Sequence, residues 1–486
     1  MERLSGTDAL FLSLEQPNWH QHVGGLTIMD RTDAPEFDFL TMRQNLVERL
    51  PLAPKFSWKL KEVPFNLDRP VWVDDEAFDV DQHLHHVALP EPGGLEQLAE
   101  LTGKILSRQL DRRRPLWELW FIEGLPNNRV AMVMKFHHCL LDGVAGSSLA
   151  SLLLDFEPDA EPPEIPPEDE VDRAGSAPSD AELLARSAVP VMATPMRAAR
   201  YAVRAARRGV TMATMARRGT GLMPTNVPTT TFNGPVGAKR RLAFCSLALD
   251  DVKAVKNHFD VKLNDVVLAV CAGALRNYLQ QRDALPDRPL ISGVPISTRD
   301  DEGPAGGGNQ LANMVVSLAT DVDDPAERLR AIYESSQGAK EMTAAVRAIE
   351  IPSMGETAPP VMFNVSLGAM AGLGLASLVP TVMNTLISNV QGPPFPLYCC
   401  RARVTGIYST SVIVEGMGLN ITLFSYMDRL DFGLHVDPDL VTDPWAIADG
   451  FTAALAELMD AARLGSPTVV EDPLGFDSGA SREAIA

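Results

Sequence analysis

The chain has 486 residues, of which 45% are hydrophobic and 22% are charged, a composition typical of a globular protein. One hydrophobic core rarely organises so long a chain, so the length predicts two domains. The formal net charge of -20 argues against nucleic acid as the main partner, because phosphate binding requires clustered cations.

The N-terminal residues 1–8 lack the apolar core of a signal peptide. The five cysteines show no CxxC spacing, which argues against a disulfide framework and against a zinc ribbon. We therefore expect a cytoplasmic protein with reduced thiols.

The first half of the chain reads as a mixture of helices and strands. Apolar residues recur at helical spacing over residues 95–110. Residues 130–136 form a short apolar run that predicts a strand and leads directly into a pair of histidines. A turn at Asp142 and Gly143 is expected next, followed by a helix over residues 146–154.

The composition changes after this helix. Residues 157–182 are rich in proline, aspartate and glutamate and predict a linker or surface loop, because they cannot bury enough apolar area to become ordered. Residues 186–241 contain neither aspartate nor glutamate, and their first part predicts an amphipathic helix. Its apolar stripe comprises Met196, Ala199, Val203, Ala206 and Val210, and the adjacent basic row comprises Arg197, Arg200, Arg204 and Arg207.

Two interpretations of this basic helix stay open. It is typical of a helix that lies on a membrane surface, although its apolar stripe is small and rich in alanine. It is equally typical of an exposed crossover helix whose arginines pair with the acidic surface of the same protein. An electrostatic role is expected in both cases, because the rest of the chain is acidic.

The second half again mixes strands and helices. The pattern predicts strands over residues 241–249, 290–295, 311–319, 385–390, 419–426 and 430–436, and helices over residues 250–259, 264–281, 325–350 and 444–464. Residues 357–400 contain no charged side chain. Glycines interrupt their apolar part, residues 361–379, so we expect a buried or interfacial helix there rather than a membrane span.

Together these elements predict an α/β fold of two domains with mixed sheets. The first domain is expected to cover residues 1–156 and the second residues 239–465. The linker and the basic helical crossover occupy residues 157–238. Residues 466–486 read as a disordered tail.

The strongest chemical signal is an HHxxxDG motif, formed by His137, His138, Asp142 and Gly143 at the end of the predicted strand. Side chains alternate along a strand, so the two histidines are expected to point to opposite faces. A histidine can remove a hydroxyl proton near neutral pH, and a carboxylate in a turn closed by glycine can fix the local geometry. A pair of histidines alone is more often structural, but the full motif is more specific.

Further short segments accompany this motif in order along the chain. They are LSGTD at residues 4–8, Pro115-Leu116-Trp117, Asn264-Asp265, and SNVQGP at residues 388–393. With these segments the chain resembles the bacterial wax ester synthase/acyl-CoA:diacylglycerol acyltransferase family. That family is a branch of the superfamily of chloramphenicol acetyltransferase (CAT) and the condensation domains of peptide synthetases. The resemblance spans nearly the whole chain.

The resemblance implies two CAT-like domains with an active-site tunnel between them. It implies direct transfer of a long-chain fatty acyl group from acyl-CoA to a diacylglycerol or a fatty alcohol, with no cofactor and no metal. On this sequence the general base would be His138, with His137 in support and with Asp142 and Gly143 fixing the loop. Arg299 is the expected structural partner of Asp142.

The resemblance also points to residues in the second domain. Asn264 is similar to an active-site asparagine of the family and would stabilise the oxyanion that forms on the thioester. Its position before an apolar run is equally typical of a helix N-cap. The residues expected at the tunnel are Asp265, Ser388 and Asn389 in the second domain and Pro115, Leu116 and Trp117 in the first, although a tryptophan in such a segment is more often part of the core.

Other chemistries have less support. His83, His85 and His86 suggest a metal cluster, but alternation separates the last two and no carboxylate or cysteine completes a ligand set. Cys139 suggests an acyl-cysteine intermediate, yet the family pattern leaves its position open. No GxSxG, Walker A or GxGxxG motif follows a strand, so hydrolase, NTPase and dinucleotide-binding functions lack support.

Two other functions stay open at this point. One is a condensation-type acyltransferase that takes its acyl group from a carrier protein, and the other is a catalytically silent lipid-binding protein. The expected partners are acyl-CoA and a lipid alcohol, not nucleic acid. Peripheral contact with a membrane or a lipid droplet would suit an apolar product.

Overall fold

The computed structural model describes residues 2–140, 152–167, 169–222, 227–297, 311–347, 360–362 and 382–475. The described strands are β1 (Glu2–Arg3), β2 (His22–Asp30), β3 (Trp58–Lys61), β4 (Val71–Asp74), β5 (Leu84–Ala88), β6 (Trp117–Glu123), β7 (Arg129–His137), β8 (Arg241–Ala248), β9 (Ile291–Ser297), β10 (Leu311–Ser317), β11 (Thr385–Gln391), β12 (Tyr398–Cys399), β13 (Ala402–Thr410), β14 (Leu419–Tyr426) and β15 (Arg429–Val436). The described α-helices are α1 (Gly6–Leu14), α2 (Phe39–Arg49), α3 (Leu95–Leu106), α4 (Asp180–Arg217), α5 (Leu249–Phe259), α6 (Leu263–Gln280), α7 (Pro325–Arg347) and α8 (Pro444–Ala461).

Two six-stranded sheets form the frame of the molecule. The first has the order β12-β13-β2-β7-β6-β5 and the second has the order β10-β9-β11-β14-β15-β8. Both are mixed, because β5 runs parallel to β6 in the first and β11 runs parallel to β9 and β14 in the second. The α/β fold with mixed sheets that the sequence predicts is confirmed.

Strand β7 lies in the middle of the first sheet and is buried on both faces. Val130 and Met132 pack into one core cluster of this lobe, whereas Ala131 and Val133 pack into another. A strand covered on both sides is expected to be apolar throughout rather than alternating. This burial explains why the run before the two histidines carries so few polar residues.

A strand from the second half of the chain completes the first sheet. Strand β13 pairs antiparallel with β2, from Arg403 opposite Asp30 to Thr410 opposite Gly24. The same strand packs against β14 and β15 of the second sheet. A division of the chain at residue 239 therefore does not describe the sheets fully, and the predicted domain limits stay a prediction.

The second lobe is built around helix α6, which is buried along most of its length. Its small residues allow close packing: Gly273 lies against Ala454 of α8, where an added side-chain carbon would clash. Apart from the helix expected over residues 361–379, the strands and helices predicted for this half are present in the described residues, with ends shifted by a few residues.

The first part of the tail is ordered, so the prediction of disorder from residue 466 onward is wrong for residues 466–475. Leu474 is fully buried in a core cluster of the first lobe. The side chains of Asn127 and Arg129 donate hydrogen bonds of 3.0 and 3.2 Å to the carbonyls of Leu474 and Pro473. One apolar side chain and these two donors hold a segment whose composition alone does not predict order.

Several predictions lie outside the described residues: the helix over residues 146–154 up to residue 151, the apolar stretch over residues 361–379 beyond residue 362, and the tail from residue 476. Among the helices that are described, none has the length and apolar composition needed to cross a membrane.

Leu474→Ala is expected to lower the free energy of unfolding by about 2–3 kcal/mol, because it removes a fully buried side chain. Val469→Ala in the same tail is the matched control, since Val469 is 69% exposed and should change stability little. Urea unfolding of both variants measures the difference. Equal stability of the two variants would show that the tail is not held by Leu474.

Candidate active site

The two histidines of the motif lie where strand β7 ends. His137 is the last residue of the strand and stands opposite His22 of β2. His138 begins a short 3-10 helix that ends at Leu140. Its backbone N–H donates a 2.8 Å hydrogen bond to the carbonyl of Gln21. The residues at the start of β2 therefore fix the positions of both histidines. The strand ends at His137, so the alternation of side chains on which our prediction of opposite faces rests does not extend to His138.

His137 is held rigidly inside the first lobe. Its Nδ1 accepts a 3.1 Å hydrogen bond from the backbone N–H of Cys139, and its Nε2 lies 3.8 Å from a carboxylate oxygen of Glu15. Burial, together with the nearby Arg112 and His138, keeps the pKa of His137 well below its usual value. A neutral, tightly packed ring is consistent with the supporting role that we predict for His137.

Glu15 organises the surroundings of His137. Its side chain is 3% exposed and forms an ion pair with Arg112 at 2.7 Å. It also accepts a 3.4 Å hydrogen bond from the backbone N–H of Gln21 and lies 3.5 Å from Nε2 of His22. Sequence reasoning did not identify Glu15, Arg112 or His22, because residues this far apart form no local motif.

The ring of His138 lies against Phe11 of helix α1. The two ring centroids are 3.8 Å apart and the ring planes differ by 22°, so the rings are stacked. His138 is 8% exposed, and its Nδ1 is buried without a hydrogen-bond partner among the described residues. Burial lowers the pKa of His138 to about 4, and its own backbone opposes this shift only in part. The ring is therefore neutral at pH 7 and able to accept a proton.

The N-terminal LSGTD segment positions the helix that carries Phe11. Ser5 is the N-cap of α1: its hydroxyl accepts a 3.1 Å hydrogen bond from the backbone N–H of Asp8 and donates to the Asp8 carboxylate. Leu4 and Asp8 are both buried. The segment thus acts on the site indirectly, by fixing the helix that packs on His138.

The Pro115-Leu116-Trp117 segment lies beside the end of β7, in the core. The carbonyl of Leu116 accepts a 3.0 Å hydrogen bond from the backbone N–H of His137. Trp117 is 1% exposed, donates a 2.8 Å hydrogen bond to the carbonyl of Phe56 and stacks on His83. These contacts make the segment a support of the histidine strand, and its contact with a tunnel stays a prediction.

Two predicted residues of the second lobe meet in the structure. The side-chain amide of Asn389, on β11, donates a 3.4 Å hydrogen bond to the side-chain oxygen of Asn264 at the start of α6. Both side chains are half-buried, as is the neighbouring Ser388. Because the Asn264 oxygen accepts this bond, its NH₂ group is left to donate elsewhere.

The start of α6 corrects the expectation that Asn264 is a helix N-cap. Its N-cap is Lys262, so Asn264 lies in the first turn and is not the N-cap. Asp265 is fully buried and accepts a 3.0 Å hydrogen bond from the backbone N–H of Lys262. This bond satisfies one of the free N–H groups near the helix start and gives Asp265 a structural role, while its place at a tunnel stays a prediction.

Asp142, Gly143 and Arg299 lie outside the described residues, so the pairing of Asp142 with Arg299 stays a prediction. Cys139 is buried in the core of the first lobe.

The three histidines that suggested a metal cluster make separate contacts. His83 Nδ1 is 2.8 Å from the carbonyl of Trp117, His85 stacks on Trp120, and His86 Nε2 is 2.7 Å from a carboxylate oxygen of Glu123. Within the described parts of the chain, no three histidine, cysteine, aspartate or glutamate side chains are grouped so that they could hold a metal ion.

Solved structures place this arrangement in a known class of two-lobed enzymes. The fold is similar to the first condensation domain of the calcium-dependent antibiotic synthetase, with a TM-score of 0.55 over 95% of this chain and 97% of that domain, at 15% identity. It is more similar to the wax ester synthase/diacylglycerol acyltransferase from Marinobacter aquaeolei VT8, with a TM-score of 0.66 and 30% identity over 95% of this chain and 100% of that one. The condensation domain, at so low an identity, supports the fold alone.

Family models and curated relatives identify the branch of this class. The model of the wax ester synthase/diacylglycerol acyltransferase catalytic domain matches residues 4–267, and that of the WS/DGAT C-terminal domain matches residues 307–459. A putative diacylglycerol O-acyltransferase of Mycobacterium tuberculosis (strain CDC 1551 / Oshkosh) is 36% identical over 463 residues, which cover 95% of this chain and 90% of the relative. The chain belongs to the wax ester synthase/diacylglycerol acyltransferase family and is an acyltransferase.

Glu15→Ala is expected to lower the free energy of unfolding by about 1–3 kcal/mol, because the variant removes a buried carboxylate that pairs with the partly exposed Arg112 and accepts a hydrogen bond from Gln21. Asp111→Ala is the matched control: Asp111 pairs with the neighbouring Arg113 at the surface, where ion pairs contribute little. Thermal and urea unfolding compare the variants. If both variants lose the same stability, Glu15 does not organise the site.

Proposed function

We propose that this enzyme transfers a long-chain fatty acyl group from acyl-CoA to a diacylglycerol or a fatty alcohol, giving triacylglycerol or wax ester. The observation that carries the proposal is a buried, neutral imidazole at the end of a central strand, in a chain of an acyltransferase family. The similar proteins are named as diacylglycerol O-acyltransferases and as a wax ester synthase/diacylglycerol acyltransferase. These names support both a diacylglycerol and a fatty alcohol as proposed acyl acceptors.

The reaction proceeds by direct attack of the alcohol on the thioester. Neutral His138 takes the hydroxyl proton while the alcohol oxygen bonds to the acyl carbonyl carbon. The tetrahedral intermediate then collapses, the carbon–sulfur bond breaks, and the proton of the imidazolium passes to the departing CoA sulfur. Since the imidazole is regenerated and every proton is accounted for, the steps require no cofactor.

The negative charge on the intermediate needs a hydrogen-bond donor placed where the charge develops. We assign this role to the NH₂ group of Asn264. The hydrogen bond from Asn389 to the Asn264 oxygen supports the assignment, because it orients the amide and leaves its NH₂ group to donate.

The tunnel between the two lobes belongs to this proposal, with Ser388 and Asn389 on the side of the second lobe. His138 and Phe11 would line the side of the first lobe. Because the alcohol and the product are apolar, we further propose that the enzyme works in the cytoplasm at the surface of a membrane or a lipid droplet.

His138→Ala is expected to lower the rate of CoA release by about 10²–10⁴-fold, because it removes the proposed base. The assay supplies palmitoyl-CoA with hexadecanol or with diacylglycerol and separates the products by thin-layer chromatography. His86→Ala is the control, since His86 is exposed on β5 and should leave the rate unchanged.

Circular dichroism shows whether both variants keep the native fold. Turnover by folded His138→Ala at the wild-type rate would contradict the role of His138. Absence of any ester product from the wild-type enzyme with either alcohol would contradict the proposed substrates.

A further inference from the structure

Helix α4 crosses the outside of the molecule and is fastened near its two ends. With 38 residues it is about 57 Å long. Near its N-terminus, Leu183 is buried against Val63 and Val71, and Asp180 pairs with Lys61 at 2.8 Å. Just beyond its C-terminus the chain passes so close to helix α7 that a side chain on Gly221 would collide with it.

The middle of α4 presents an apolar stripe to solvent. Val189, Met192, Met196, Val203 and Val210 recur at intervals of three, four or seven residues, so they share one face of the helix. Met192 is 82% exposed and Val210 is 67% exposed, and the other three are exposed as well. Most helical stability in proteins comes from packing of such a face, so this face requires a partner.

A row of arginines runs beside this stripe. Arg197, Arg200, Arg204 and Arg207 are all exposed. Apart from Asp180 and Glu182 at its start, the helix contains no acidic residue, and the next acidic residue in the chain is Asp250. The ion pairs of this helix among the described residues are those of Asp180 with Lys61 and of Arg186 with Glu182, so the described acidic side chains do not account for these four arginines.

We propose that this face of α4 docks on an anionic phospholipid surface. The apolar stripe would lie at the boundary between the headgroups and the acyl chains, and the four arginines would bind the headgroup phosphates. The inference deepens the proposed function, because it names the lipid surface at which the enzyme meets its apolar substrates. The large residues of the stripe are few, and the positions between them on the same face are Ala199 and Ala206, so docking requires the arginines as well as the apolar side chains.

A second copy of the chain is a weaker partner for this face. The spacing of the stripe also suits a coiled coil, in which the flanking positions usually carry residues of opposite charge. Here one flank carries Arg200 and Arg207, and the other carries Pro195, Ala202 and Gly209. With no acidic residue on either flank, a self-paired helix would leave the arginines without partners, whereas anionic headgroups complement them.

The test is co-sedimentation of the full-length protein with phosphatidylglycerol/phosphatidylcholine vesicles. Changing Arg197, Arg200, Arg204 and Arg207 together to glutamine is expected to weaken binding by about a hundredfold or more. The matched control changes the same four residues to lysine, which keeps the charge and should bind within about threefold of wild type. Met196→Gln with Val203→Gln should also weaken binding, and added salt should weaken wild-type binding.

Equal binding of the glutamine and lysine variants overturns the proposal, as does equal wild-type binding to vesicles of phosphatidylcholine alone. A dimer that dissociates in the Met196→Gln, Val203→Gln variant, with no vesicle binding by wild type, assigns the face to a second copy instead. Activity on hexanoyl-CoA and hexanol without vesicles should be equal in all variants. Absence of ester product from wild type with palmitoyl-CoA and either hexadecanol or diacylglycerol would refute the proposed function, whereas the vesicle result tests the docking of α4 separately.

Discussion

The pairing of β2 with β7 fixes the position of the two histidines of the site. Nine pairs of facing residues run from Asp30 opposite Arg129 to His22 opposite His137. At the open end of this ladder, the N–H of His138 bonds to the carbonyl of Gln21. A slip by one residue would turn every side chain of β7 to the opposite face and would remove His137 from Glu15. The nine-residue pairing of β2 with β7 therefore positions the imidazole ring of His137 at the end of β7.

Strand β2 is also paired along its other edge. Strand β13 pairs with the far edge of β2 and comes from the second half of the chain, so the two lobes cannot separate without exposing that edge. The segment just before β2 also crosses to the second lobe, where Trp19 donates a 2.7 Å hydrogen bond to the carbonyl of Ile413. The elements that hold the histidines are thus the same elements that join the lobes.

Burial gives the site its chemistry. Desolvation disfavours the charged form of an imidazole, so His22, His137 and His138 all have lowered pKa values. Glu15 and Arg112 supply a compensated pair of charges beside them. The result is a set of neutral rings in a buried environment, where His138, the base that we propose, can accept a proton.

Local patterns in the sequence predicted a large part of this structure. Strand β7, helix α6 and the strands of the second sheet follow from apolar runs and periodicity, and HHxxxDG marks the histidines. The pairing of β13 with β2 could not be predicted, because it joins residues about 380 positions apart without a local signal. Glu15, Phe11 and Asn389 reach their partners only through tertiary structure. The burial of Leu474 could not be predicted either, because a single apolar residue in a tail of polar composition gives no local signal of order.

The pH dependence of kcat/KM tests the central claim, that a neutral, buried His138 accepts the proton. An ordinary histidine loses half of its basic form at about pH 6.5, whereas burial lowers the pKa of His138 to about 4. Because the neutral form is the active one, kcat/KM should stay constant from about pH 8 down to about pH 5 and should fall only below that.

The protein itself loses stability in the same range. Its buried histidines stay neutral when folded and take up protons when unfolded, so stability is present above about pH 6.5 and declines as the pH falls towards 4. Rates are therefore taken only where intrinsic fluorescence shows a folded enzyme and where activity returns in full at neutral pH. A constant kcat/KM to about pH 5 agrees with the account, and a titration centred near pH 6.5 would contradict it.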